Sequence, residues 1–266
     1  MVKSTTKSLL DALEPYPFSK RCFARYVEWF VDNVPDEWES YDLIDALNKN
    51  KTDHLNEIEN LLLHAQKILG VSQRDFVKLF GFEDDLLSKD AEKIHDILAE
   101  PLFVVDLHSH GFSEIKKLPQ FIKRSTKKIP NSDFTAVRSG QTFAIELKTI
   151  RMEANPKPVP GQLLGDSTKP SWWTDMFQNN AETKIKEKNY RVFHQLKNTA
   201  DEYECGKKML VLYTRRLGTS TLTELPEYSK ELERIQRNYP VLDYVVAKNY
   251  FGDVVFFPEL DTKVSP

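Results

Sequence analysis

Apolar residues recur every three or four positions through much of the first hundred residues. Between His54 and Leu69, the positions Leu55, Ile58, Leu61, Leu62, Ala65 and Ile68 keep that spacing, which predicts an amphipathic helix. Arg21–Val34, with Phe23, Tyr26, Trp29 and Phe30, predicts another, flanked by Pro15, Pro17 and Pro35. Ser72 stands where it can cap a short helix over Gln73–Phe80 that ends at Gly81. A further helix over Lys89–Glu100 is expected to stop at Pro101.

Beyond Pro101 the pattern changes. Leu102–Leu107 reads as a short strand and Ser113–Lys127 as a helix interrupted at Pro119. Asp133–Val137 and Thr142–Ile150 read as two strands joined by a turn at Arg138-Ser139-Gly140-Gln141, with Gly140 free to take a positive φ. Residues 153–181, rich in proline and carrying the Trp172-Trp173 pair, read as a long loop. Helices are expected over Tyr190–Tyr203 and Glu227–Asn238. Strands are expected over Lys208–Tyr213, Leu242–Ala247 and Asp253–Phe257. The result is an α/β class with a mixed central sheet flanked by helices. A helical region over residues 1–100, suited to dimerisation or docking, precedes a core over residues 101–266 with a loop insertion at about 150–188.

Charge adds an asymmetry to this picture. The 266 residues carry a net charge of −3, yet residues 1–100 hold 12 Lys+Arg against 20 Asp+Glu and the remainder is net basic. Two such halves suit different partners. No apolar run approaches the roughly 18 residues of a membrane span, so no membrane partner is expected. Two cysteines, Cys22 and Cys205, exclude a disulfide scaffold and a cysteine zinc cluster, and fit a reducing cytoplasm. They read as buried small residues. No glycine-rich phosphate loop and no serine nucleophile elbow is present.

The chemistry concentrates around the predicted hairpin. Strand side chains alternate faces, so Glu146 and Lys148 share one face while Phe143, Ile145 and Leu147 point to a core. Asp133 lies at the end of the neighbouring strand. Two close carboxylates repel and call for a cation. A hard divalent ion such as Mg²⁺ takes oxygen ligands, activates water and neutralises charge on a phosphodiester. Four Asp/Glu-x-Lys tripeptides occur, at Glu114, Glu146, Glu182 and Asp261. Only Glu146-Leu147-Lys148 lies in an apolar strand pattern preceded by an aspartate strand.

Asp133, twelve intervening residues and Glu146-Leu147-Lys148 resemble the signature of the PD-(D/E)xK nuclease superfamily, over roughly residues 85–215. Asn131-Ser132 stands where the family name has proline. The resemblance implies a restriction-endonuclease-like core of helix, strands, helix and strand. It further implies Mg²⁺ (or Mn²⁺) held by Asp133, Glu146 and the Leu147 carbonyl, and Lys148 as the catalytic lysine. Some members carry a glutamine and a downstream tyrosine, which Gln195 and Tyr203 resemble, or an extra helix acid, for which Glu114 is the candidate.

Two basic segments flank this site. Lys116, Lys117, Lys123, Arg124, Lys127 and Lys128 precede it, and Lys184, Lys186, Lys188, Arg191 and Lys197 follow it. Both suit phosphate contacts on DNA, with Trp172 and Trp173 as loop aromatics for a base or groove. The bland alternatives are solvated lysine faces, loop-packing tryptophans and an ordinary surface ion pair.

Asp106-Leu107-His108-Ser109-His110 at a strand end resembles the first metal motif of the polymerase-and-histidinol-phosphatase phosphoesterases, which also need several downstream histidines; only His194 follows. Otherwise His108 and His110 are structural or stand close enough to the Asp133 site to touch substrate. Gly70–Phe82 resembles the start of a helix-turn-helix. The segment that would enter the groove, Glu83-Asp84-Asp85-Leu86-Leu87, is acidic, the wrong sign for phosphate, so the reading is a packing element.

The functional expectation is a Mg²⁺-dependent endonuclease hydrolysing DNA in restriction, anti-phage defence, transposition or repair, acting as a homodimer or within a larger complex. The alternatives are a non-catalytic nucleic-acid-binding or assembly module, and a metal phosphoesterase built on His108 and His110.

Overall fold

The computed structural model describes residues 6–33, 47, 49, 51–83, 93–124, 127–151, 171–215, 225–249 and 254–261. The chain divides into two units, Met1–Ser109 and His110–Pro266.

The first unit is helical: α1 (Thr6–Ala12), α2 (Pro17–Asn33), α3 (Thr52–Leu69), α4 (Gln73–Leu79) and α5 (Lys93–Ser109). Pro17 opens α2, where its missing N–H costs nothing. The Glu59 carboxylate of α3 accepts the Phe18 and Ser19 N–H groups at 3.1 and 2.6 Å and so caps α2 from a neighbouring helix. Ser72 caps α4 by accepting the Asp75 N–H at 3.1 Å, and Phe76 and Val77 of α4 are buried. Phe18, Phe23, Phe76 and Phe82 pack ring against ring behind it. Residues 84–87 lie outside the described residues.

α5 departs from expectation. It runs through Pro101 to Ser109, so Leu102–Leu107 is helix and not strand. Proline removes one helical hydrogen bond, at a cost of about 3 kcal/mol. Here Ala99, Phe103, Val104 and Leu107 are all buried at helical spacing and offset that loss. A short apolar run fits either period, and burial on one helical face decided it.

The second unit is built on a mixed six-stranded sheet in the order β1-β4-β5-β6-β7-β8, with β2 and β3 pairing separately. The strands are β1 (Ser113–Lys117), β2 (Phe121–Arg124), β3 (Lys127–Pro130), β4 (Phe134–Arg138), β5 (Gln141–Arg151), β6 (Lys207–Arg215), β7 (Tyr244–Asn249) and β8 (Val254–Phe257). Helix α6 (Ser171–Glu202) joins β5 to the parallel β6, and α7 (Leu225–Asn238) joins β6 to the parallel β7. The helix expected over 113–127 is three strands. In β1 only Ile115 is buried, an alternation that four charged or polar neighbours conceal. The Trp172-Trp173 pair lies in the first turn of α6, not in a loop, while residues 152–170 fall outside the described residues.

The β4–β5 turn places both Ser139 (φ 50) and Gly140 (φ 73) in the left-handed region. Two central residues of that kind match the twist of a tight hairpin. Along β5, Ala144 and Ile150 join Leu210, Leu212, Val245 and Ala247 in one core, closed by Ile185, Val192 and Leu196 of α6 and Leu232 and Ile235 of α7. Glu146 and Lys148 lie on this helix-covered face. Among the described residues no helix is long and apolar enough to cross a membrane.

Candidate active site

Asp133 sits at a joint in a long hairpin. β1 pairs β4 with Lys116 opposite Thr135 and Lys117 opposite Phe134. β2 pairs β3 from Phe121↔Pro130 to Arg124↔Lys127 in the same unbroken register. The β2–β3 ribbon is therefore the distal part of the β1–β4 hairpin. It leaves the sheet at Leu118–Gln120 and Asn131–Asp133, where Pro119 has no N–H to offer a ladder. At that joint the Leu118 N–H donates to the Asp133 carbonyl at 2.8 Å and the Asn131 N–H to the Gln120 carbonyl at 3.0 Å.

The joint also fixes the Asp133 side chain. Its backbone N–H donates to the Ile145 carbonyl at 3.0 Å, and its Oδ2 accepts the Leu147 N–H at 2.8 Å. The N–H and C=O of one strand residue point to the same neighbour, so the Leu147 carbonyl shares the edge on which Asp133 lies. The regular β4–β5 pairing ends with Phe134 opposite Ile145; Asp133, one residue further, bonds the same Ile145 carbonyl, and its carboxylate acts electrostatically on Glu146.

Two lysines attend the two acids. Lys148 Nζ donates to Glu146 Oε1. Lys117 Nζ lies 3.3 Å from Asp133 Oδ1 and 4.8 Å from the centroid of the Phe134 ring. The Glu146 side chain is 1% exposed, and its Oε2 is buried with no hydrogen-bond partner. Burial, and then the Asp133 carboxylate, push the Glu146 carboxyl up to about 8 against the pull of Lys148 and Lys117. Burial draws the Lys148 ammonium down, but Glu146 and Asp133 outweigh it and leave it above the usual lysine range. The charge of Arg191 on α6 acts in the opposite sense, which places that guanidinium within electrostatic reach of Lys148.

α6 holds the segment before Asp133 from the other side. Gln195 Nε2 donates to the Asn131 carbonyl at 2.9 Å, and Asn198 Nδ2 to the Pro130 carbonyl at 3.0 Å. The Ser132 N–H donates to Thr199 Oγ1 at 2.8 Å, and that hydroxyl donates to Asn131 Oδ1. Arg191, Gln195 and Thr199 are four residues apart and so form one stripe of the helix. Gln195 Oε1, like Glu146 Oε2, is buried without a partner.

The structure thus gathers Asp133, Glu146, Leu147 and Lys148, with Gln195 linked through Asn131. Lys117, expected only as a phosphate contact, Asn131 and Ser132, noted only as replacing the family proline, and Thr199 join them. It does not gather the rest. Glu114 is exposed on β1 at an irregularity in the ladder, with φ 47, toward the end of the strand away from Lys117; it is not a helix acid. Tyr203 is exposed beyond the end of α6.

His108 lies on α5 with its ring against His64, and His110 lies against Phe256. Asp106 and His108 are two residues apart on a helix, where such positions do not share a face, so the strand geometry of that motif is not realised. On α6, Lys184 pairs Glu187, Lys186 pairs Glu182 and Lys197 pairs Asp201, a solvated and self-neutralised set. Lys188 is exposed on the same helix. Cys22 and Cys205 are buried thiols. Burial pushes both up, Cys205 to about 11, so neither is a nucleophile at neutral pH.

Among the described residues no group of three or more His, Cys, Asp or Glu side chains is assembled to hold a metal. The donor set at the joint is two carboxylates and a backbone carbonyl, all hard oxygens. Mg²⁺ takes one or two carboxylates and keeps its remaining positions for water and phosphate. The unpartnered Glu146 Oε2 is a buried acceptor that such an ion would satisfy. The residues fit the ion. In comparisons with known proteins, no family model, no curated protein and no solved structure matches the chain.

Proposed function

We propose that this chain is a Mg²⁺- or Mn²⁺-dependent endonuclease of the PD-(D/E)xK kind that hydrolyses phosphodiester bonds in DNA, in restriction, anti-phage defence, transposition or repair. The observation that carries the reading is Glu146: a carboxyl group 1% exposed, within electrostatic reach of Asp133, with an ammonium on one oxygen and no hydrogen-bond partner on the other. Burying such a group is costly unless it serves a ligand. Topology supports it too. Three antiparallel strands (β1, β4, β5), a helix (α6) and a parallel strand (β6) follow the order that the resemblance implies for a restriction-endonuclease-like core.

In this reading Asp133, Glu146 and the Leu147 carbonyl hold the ion. When bound, a divalent ion lowers the pKa of water and neutralises charge at the phosphoryl group. Lys148 Nζ, held by Glu146, orients the attacking water and meets the negative charge that develops on the phosphoryl oxygens. Water attacks phosphorus in line and gives up a proton to solvent, the bond to the leaving oxygen breaks, and that oxygen takes up a proton from solvent. Lys117 fixes Asp133, and the α6 stripe fixes the backbone that carries it.

One observation favours a second reading, a non-catalytic nucleic-acid-binding or assembly module. Lys117 and Lys148 already sit on the two acids, so each acid has a counter-group without a metal. The test is cleavage of supercoiled plasmid and linear DNA with Mg²⁺ or Mn²⁺ by wild type, Glu146→Gln and Lys148→Met, together with Mn²⁺ calorimetry. Metal-dependent cutting lost in both variants supports the enzyme. Intact DNA with no Mn²⁺ bound by wild type supports the module.

A further inference from the structure

The chain's two basic segments are treated differently by the fold. On α6 the lysines at 184, 186 and 197 each have an acidic neighbour on the same helix. On the β2–β3 ribbon no such neighbour exists in sequence. From Ile115 to Ser132 there is no Asp or Glu, in a chain whose overall charge is negative. The ribbon is also divided along its length. Its base pairs apolar positions, Phe121 with Pro130 and Ile122 with Ile129. Its distal half pairs cation with cation, Lys123 opposite Lys128 and Arg124 opposite Lys127.

Like charges directly across a ladder destabilise it, and two short strands alone are marginal in water. The fold retains this arrangement by anchoring its base. Asn131 binds back to Pro119 and Gln120, and Gln195 and Asn198 hold Asn131 and Pro130 from α6. Successive register pairs alternate between the two faces of a ribbon, so the cationic positions are divided between both. That division does not suit a flat anionic surface, which meets one face. It suits a channel with phosphates on two sides.

We propose that the β2–β3 ribbon enters the major groove of duplex DNA, setting Lys123, Arg124, Lys127 and Lys128 among the flanking phosphates while Asp133, at its root, meets the adjacent backbone. The proposal rests on the nuclease reading for what happens at Asp133, and on the ribbon alone for the partner. The dimensions agree. The major groove is about 12 Å wide and admits a two-stranded ribbon, whose strands stand about 4.8 Å apart. From the Leu118–Asp133 level to Arg124–Lys127 the ribbon extends up to about 20 Å at roughly 3.4 Å per residue.

The test is equilibrium binding, in chelator, of a duplex of about 30 base pairs and of its single strands over a range of salt. Wild type is compared with a variant carrying Lys123→Gln, Arg124→Gln, Lys127→Gln and Lys128→Gln, and with the milder Arg124→Gln/Lys127→Gln pair. Thermal melts check folding. Wild type is expected to prefer duplex. The fourfold variant should lose at least about tenfold in duplex affinity, with a log–log salt slope shallower by about 3 to 4, and the double variant by about 2. An unchanged slope in both folded variants overturns the proposal. So does equal or tighter binding of single strands, or of vesicles of anionic lipid. Mn²⁺ calorimetry separates the two proposals: ribbon-dependent duplex binding without Mn²⁺ binding leaves the groove-reading ribbon standing and removes the hydrolytic reading.

Discussion

Lys117 and Asp133 meet across adjacent strands, with Nζ 3.3 Å from Oδ1 and both side chains largely withdrawn from water. The ammonium occupies an oxygen that a divalent ion would also use. Lys117→Met is therefore expected to lower stability in chelator by about 1–3 kcal/mol, because it leaves a half-buried acid without its counter-charge. The same change is expected to tighten Mn²⁺ binding by about fivefold or more, since a competing cation is gone. Chemical unfolding and calorimetry read the two effects. Unaltered Mn²⁺ affinity would show that Lys117 and the ion do not compete.

Glu146 predicts a trade between stability and function. Its folded carboxyl is raised from 4.5 to about 8, chiefly by burial. Below the lower value both folded and unfolded states are protonated. As pH rises from there toward 8, the unfolded state ionises first, and stability falls by an amount on the order of a few kcal/mol. Glu146→Gln removes that loss. In chelator its melting temperature should exceed wild type by more at pH 8 than at pH 5, while metal-dependent cleavage falls by about a hundredfold or more. A constant difference across this range would remove the burial argument.

The clamp from α6 should act on Asp133 through the backbone. Thr199→Val deletes the hydroxyl that accepts the Ser132 N–H at 2.8 Å and leaves that donor buried. A stability loss of about 1–3 kcal/mol is expected. In the nuclease reading kcat falls with little change in KM, and Thr199→Ser restores most of it. A KM effect without a kcat effect would place Thr199 in substrate binding instead.

Arg138 provides a contrast at the other end of the hairpin. Its guanidinium donates to the His110 and Asp261 carbonyls at 3.0 and 2.8 Å and lies over the Phe112 ring. Arg138→Met should cost about 2 kcal/mol in urea unfolding. Mn²⁺ affinity should stay within about twofold of wild type, a change of under half a kcal/mol. A large loss of Mn²⁺ binding would mean that the two ends of the hairpin are coupled.

The hairpin of β4 and β5 was legible because Phe143, Ile145 and Leu147 alternate with Ala144, Glu146 and Lys148, and a turn with Gly140 follows Arg138. That alternation sufficed to bring Asp133, Glu146 and Lys148 together. Lys117 was not legible as a site residue. Ser113–Lys117 has a single buried position, so its charged residues read as one exposed helical face, and the strand that carries Lys117 to Asp133 went unseen. Thr199 left a fainter trace, four residues after Gln195. Its partner is the backbone of Ser132, which no side-chain pattern announces. Pro101 misled in the opposite direction: a strong local stop signal was overridden by the burial of Phe103, Val104 and Leu107.

The stitched base of the ribbon has an evolutionary consequence. Because the chain enters at Pro119 and Gln120 and returns at Asn131, which is bonded to both, everything between is a closed excursion with neighbouring ends. Such an excursion is an exchangeable cassette. Related sequences are expected to vary residues 121–130 in length and charge while the spacing from Asn131 to Lys148 stays fixed, and a graft at this point should alter what the molecule holds without disturbing the acids at its root.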